Sequence, residues 1–157
     1  MVLSLKQNNL LKFLLSIILS LFVCLTCGSQ VNIKERLSDF YDTELADTAR
    51  ALALEDVVWE YMYINTDTAI HYALTQYDFV QRIPDKKWTA YSNNTLGVCY
   101  FDKGEFNASL EHYLRSLEYY EKIQLKREIA GAKNNIAQVY LQLENYHEGK
   151  LALEEGI

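Results

Sequence analysis

The chain has 157 residues, half of them hydrophobic and 23% charged, with a formal net charge of −6. This length suits one domain, the apolar share can fill a buried core and excludes a disordered chain, and the acidic balance excludes the basic footprint of a nucleic-acid binder. One proline and six glycines favour long helices over strands and turns.

The first residues stand apart from the rest. Lys6 and Lys12, with no acid near them, precede an apolar run from Phe13 to Leu25, and the small residues Gly28 and Ser29 follow it. A membrane-spanning helix needs roughly 20 apolar residues, so this shorter run reads as an export signal. Residues 1–29 are therefore expected to be a signal peptide cut after Ser29, or a membrane or lipid anchor. Lipidation at Cys24 or Cys27 ranks below cleavage because neither cysteine has Gly, Ala or Ser directly ahead, and retention as an anchor ranks below lipidation. All three readings place the remaining chain outside the cytoplasm, in the periplasm or on the outer face of a bacterial membrane, with membrane contact only through this segment. Cys24 and Cys27 form a C-x-x-C, but inside an apolar segment this is a weak redox signal. Cys99 reads as a small buried hydrophobe.

Residues 30–46 are a leader that either adds a short helix or stays loose. Beyond it the hydrophobic spacing predicts helices over 47–64, 67–83, 86–102, 105–123, 127–143 and 146–157. Ile70, Ala73, Leu74, Tyr77, Val80 and Ile83 recur every three or four residues, as one apolar stripe requires. Pro84 and Asp85 then stop that helix, and Asp67 or Thr66 is expected to cap its start. Phe106, Leu110, Tyr113, Leu114, Leu117 and Tyr120 make the same stripe in the next unit. Asp102-Lys103-Gly104 and Leu143-Glu144-Asn145 read as tight turns.

The units repeat. Asn94-Thr95-Leu96-Gly97-Val98-Cys99-Tyr100 aligns with Asn134-Asn135-Ile136-Ala137-Gln138-Val139-Tyr140 at a spacing of 40 residues. Gly104-Glu105-Phe106 aligns with Glu144-Asn145-Tyr146 at the same spacing. In the middle copy Leu96, Gly97, Tyr100, Gly104, Phe106 and Tyr113 resemble the tetratricopeptide repeat, whose signature is an aromatic, Leu-Gly, Tyr, Ala, an aromatic and Pro. Asn93 stands where Trp is usual, Ser109 where Ala is, and Glu121 where Pro is. In the third copy Ile136, Ala137, Tyr140, Tyr146 and Leu153 fit, with Gly149 in the Ala position. The first copy keeps Ala69 but has Asp56-Val57 in place of Leu-Gly. The resemblance covers residues 47–157 as about three units, 47–85, 86–125 and 126–157, the last one truncated. It implies an all-α fold, an α-α superhelix of antiparallel helix pairs whose first helices line a concave face. Gly97 and Ala137 are expected to face Ser109 and Gly149 so that the paired backbones can approach.

No catalytic constellation is present. His71, His112 and His147 lack partners at metal-ligand spacing and read as exposed helix histidines, no glycine-rich phosphate loop occurs, and Glu118 and Glu121 read as a solvated face. The expectation is a non-enzyme with no cofactor and no metal. The candidate site is a peptide-binding groove of Tyr91, Asn94, Val98, Phe101, Asn134, Gln138 and Leu141. Its amides would bond an extended backbone and its aromatics would hold side chains; the competing reading has the asparagines satisfying neighbouring helix ends. Lys and Arg are missing from these positions, which argues against an acidic-tail ligand.

The expected function is an exported scaffold that binds a protein or peptide. The alternative is the sensory region of a membrane-bound bacterial signal-transduction protein whose kinase or DNA-binding output lies elsewhere. Because Ile157 falls inside the expected last helix, the chain is expected to be a fragment, to self-associate through that helix, or to fray there.

Overall fold

The computed structural model describes residues 32–156. The expected signal peptide, its cleavage, and Cys24 and Cys27 lie outside the described residues. Seven helices occur among those described: α1 Ile33–Tyr41, α2 Asp47–Met62, α3 Thr66–Val80, α4 Lys87–Lys103, α5 Phe106–Lys122, α6 Lys126–Gln142 and α7 Tyr146–Gly156. Each packs against its neighbours in chain order, so α2/α3, α4/α5 and α6/α7 form three helix pairs of an all-α solenoid. None of the described helices is long and apolar enough to cross a membrane.

Within the leader, residues Ile33–Tyr41 form the short helix α1. Phe40 of α1 is buried with Ala51, Leu54, Val57, Phe79, Val80 and Ile83, and Ile33 and Leu37 pack against that cluster. Arg50 pins the end of α1: its Nε donates to the Phe40 carbonyl at 2.8 Å, and its guanidinium lies 5.8 Å from the Phe40 ring and 4.8 Å from the Phe79 ring. One arginine thus satisfies an orphan helix carbonyl and stacks on two aromatics.

Helices α4, α5 and α6 are each 17 residues long, and their ends explain why. Gly104, Gln124 and Glu144 take positive φ values of 82°, 58° and 57°. At each, a pair of backbone bonds reaches back over the helix end: Gly104 N to Phe101 O and Glu105 N to Tyr100 O, both 2.9 Å, then Gln124 to Glu121, Leu125 to Tyr120, Glu144 to Leu141 and Asn145 to Tyr140. This is the Schellman arrangement, in which a left-handed residue lets the chain reverse while satisfying the last carbonyls. The first pair turns differently. Ile64 stands in the register of Gly104, and a β-branched side chain resists positive φ. Asn65 takes an extended conformation instead, and its side chain accepts from the Thr68 N–H at 2.8 Å. The cap of α3 is therefore Asn65 and not Asp67 or Thr66, since Thr66 already lies in the helix. That helix also ends three residues before the expected 83, and Ile83 is buried from the following turn. The residue ahead of a proline avoids the helical region, which keeps Ile83 out of α3.

Within pairs the packing is closest between α4 and α5. The Ser109 hydroxyl donates to the Gly97 carbonyl at 2.7 Å, and a Cβ on Gly97 would lie 2.5 Å from the Tyr113 ring. A Cβ on Gly149 would meet the Ala137 carbonyl at an ordinary 3.4 Å. The expected facing of small residues holds, with a refinement: the space beside Gly97 is filled by Tyr113. The buried stripe of α5 is Ser109, Tyr113, Ser116 and Tyr120, and that of α3 includes Ala69, Ala73, Gln76 and Val80 at the same register. Leu74 and Leu114, expected in the stripe, are 41% and 44% exposed. The buried positions opposite them are filled by Gln76 and Ser116, which a hydrophobic pattern passes over. Gln76 is accommodated because its Nε2 donates to the Ala51 carbonyl at 3.0 Å.

Candidate functional site

Two hollows open along the first helices of the pairs. The first, about 260 Å³, is lined by Leu52, Glu55 and Trp59 of α2 and by Trp88, Tyr91, Asn94 and Thr95 of α4. The second, about 300 Å³, is lined by Tyr91 and Asn94 again, by Tyr120 of α5, and by Glu128, Gly131, Ala132, Asn134 and Asn135 of α6. Because Tyr91 and Asn94 belong to both, the hollows form one groove crossing α2, α4 and α6.

Helical periodicity builds each wall. Leu52, Glu55 and Trp59 are spaced i, i+3, i+7, and so are Trp88, Tyr91 and Thr95, which puts each set on one face of its helix. The aromatics continue from one hollow to the next: the Trp88 and Tyr91 ring centroids are 6.3 Å apart and edge-on, and Tyr91 is 5.7 Å from Tyr120. Asn135 Nδ2 donates to Asn94 Oδ1 at 3.3 Å and ties α6 to α4 across the groove floor.

Glu55 and Glu128 are the charged residues among those lining the two hollows. Burial raises the Glu55 carboxyl above its usual range; a hydrogen bond from the Trp59 side chain partly offsets this, and the neighbouring Asp56 adds to it. The Tyr120 phenol is pushed up to about 12, chiefly by burial, with Tyr91, Glu128 and Glu55 contributing through their charges.

Of the seven sequence-predicted residues, Tyr91, Asn94 and Asn134 come together around the second hollow. Val98 and Phe101 are half-buried and pack with Tyr113, Ile136 and Val139, where Phe101 meets Phe106 edge-on at 5.5 Å. Gln138 and Leu141 are exposed and line neither hollow. Sequence reasoning missed Leu52, Glu55, Trp59, Trp88 and Glu128. Their signal was the placement of both tryptophans of the chain on first helices, each at helical spacing from other groove residues.

The histidines differ from expectation at one position. His71 and His147 are exposed, but His112 is half-buried, stacked on Tyr100 at 5.3 Å with rings 7° from parallel, and its Nδ1 lies 3.1 Å from Asn93 Oδ1. Asn93 in turn donates to the Thr89 carbonyl at 2.9 Å. A polar pair, Asn93 buried and His112 half-buried, thus fills the place where Trp is usual, and burial lowers the His112 pKa, with Arg115 adding to the shift and Glu111 opposing it. Cys99 is fully buried among Val58, Ala69 and Leu96, and burial pushes its thiol up to about 12, as suits an inert packing residue. Among the described residues no group of three His, Cys, Asp or Glu side chains is placed to hold a metal ion.

No curated protein matches the chain. Residues 90–123, covering most of α4 and all of α5, and residues 130–157, covering most of α6 and all of α7, match the tetratricopeptide repeat family, so the second and third helix pairs of this solenoid are similar to tetratricopeptide repeats.

Proposed function

We propose that the chain is an exported scaffold that holds an extended segment of a partner protein along the faces of α2, α4 and α6. Tetratricopeptide repeats commonly serve as protein-interaction modules, and a partner protein is the coarse reading they support. The observation that carries the finer one is the sharing of Tyr91 and Asn94 between two hollows. A groove that passes from one repeat to the next suits a long ligand better than a compact one, and its mixture of aromatic walls and amides suits a peptide. Export rests on the basic and apolar start of the sequence. A narrower reading, the sensory region of a membrane-bound bacterial signalling protein, rests on that same start together with the 40-residue unit.

The test is a photoreactive benzoylphenylalanine placed at Asn94, and in a second variant at the exposed Glu118 of α5, in cells producing the full chain. A partner cross-linked from position 94 and not from 118 supports the groove. Equal yields from the two positions, or none from 94, would sink it.

A further inference from the structure

The first hollow has a chemical character that the rest of the groove lacks. Its walls carry both tryptophans of the chain, Trp59 and Trp88, together with Tyr91 and Leu52, and Glu55 is its one charged lining residue. At about 260 Å³ it has room for one long side chain. One side chain of a larger ligand is the matching occupant.

Charge complementarity selects which. An acidic side chain would bring a second negative charge to Glu55. An apolar one would remove the remaining solvent from the carboxylate and add no partner to the Trp59 hydrogen bond, which is costly. A guanidinium meets both demands: it is planar, weakly hydrated, stacks on aromatic faces and bonds a carboxylate. This chain already packs arginine that way, with the guanidinium of Arg50 4.8 Å and that of Arg82 4.9 Å from the Phe79 ring. No Lys or Arg lines either hollow. The Lys87 ammonium, 6.0 Å from the Trp88 ring centroid, is paired with Asp85 at 3.4 Å. Glu128 in the adjoining hollow extends the negative potential along the groove.

We propose that the hollow between α2 and α4 is a specificity pocket for an arginine side chain of the partner segment, with Trp59, Trp88 and Tyr91 packing on the guanidinium and Glu55 pairing with it. This rests on the groove reading and adds the chemistry of its ligand. Raised by burial, the Glu55 carboxyl is a group whose charged form an entering cation would favour.

The two tryptophans make the test local, because all indole fluorescence of the protein arises at this hollow. Full-length chain in non-ionic detergent is titrated with a short alternating Ala-Ser peptide carrying one central arginine, and with its twin carrying citrulline, which keeps the shape and removes the charge. The arginine peptide is expected to give a saturable fluorescence change that weakens with added salt, and the citrulline peptide to bind roughly tenfold less tightly or not at all. Glu55→Gln, its helical circular dichroism unchanged, is expected to erase the difference between the two. Equal responses to the twins, or no response to either, overturn the arginine pocket, and these readings depend on no variant folding. If they come with position-dependent cross-linking from Asn94 intact, the groove stands without the pocket. If cross-linking fails as well, both fall.

Discussion

The first and second helix pairs solve one packing problem with opposite choices. In the second, Gly97 on α4 leaves a space that the Tyr113 ring of α5 fills. Forty residues earlier the same register holds Val57 on α2 and Ala73 on α3, both fully buried. The order of sizes at this register is reversed while burial is kept. A second exchange lies beside it. Asn93 and His112 form a polar pair in the second repeat, where the first has Ala53 and Tyr72. The motif is thus one of several ways to fill similar space: the family match starts at residue 90, whereas the architecture of helix pairs starts with α2.

The largest expected effect comes from breaking the exchange on one side. Gly97→Val forces a branched side chain into the Tyr113 ring and should destabilise the protein by about 3 kcal/mol, read from the urea midpoint by circular dichroism. Adding Tyr113→Ala transplants the arrangement of the first pair. The double variant should then be at least about 1 kcal/mol more stable than the two single losses predict; simple additivity would mean that the two repeats are not interchangeable at this joint.

A smaller effect sharpens the polar exchange. The pKa of His112 is lowered in the folded state from its ordinary 6.5, so below that pH the unfolded chain binds the proton more readily. The contribution of the neutral ring is complete above about pH 6.5 and is lost as the pH falls from there through the lowered folded pKa. Asn93→Ala with His112→Tyr, the first repeat's pair, should flatten that part of the stability profile. An unchanged slope between wild type and the double variant would place the titration elsewhere.

The smallest effect concerns the turns. Gln124 and Glu144 carry side chains at the positive φ that Gly104 adopts freely. Gln124→Gly and Glu144→Gly should each raise stability by about 0.5–1 kcal/mol, and Gly104→Ala should lower it by a similar amount. Ile64→Gly should bring no such gain, because the first turn uses no positive φ there.

Much of this solenoid was legible because its signals are periodic. The 40-residue register and the glycine of the Leu96-Gly97 pair located the helix pairs and their closest contact. Where the structure departs, the deciding interaction is one that hydropathy cannot carry. Asn65 outcompetes Asp67 as a cap through one side-chain bond to the Thr68 amide. Gln76 and Ser116 are buried although polar, the first because a backbone carbonyl of α2 receives its amide. The turns at Gln124 and Glu144 give no glycine to read. The groove was half-legible for the same reason: Asn94 and Asn134 repeat in register and Tyr91 lies one helical turn before Asn94, whereas Trp59, Trp88 and Glu55 meet only because α2 and α4 line one hollow, a proximity between residues that no single helix pattern contains.

The left-handed turn residues fall at 104, 124 and 144, a uniform step of 20 residues per helix. Such a step makes the gene as modular as the fold. An unequal crossover between the segments encoding Gly104 and Glu144 would add or remove one whole helix pair and join backbone ends already shaped alike. A chain built on this step can lengthen by recombination without redesigning a single joint.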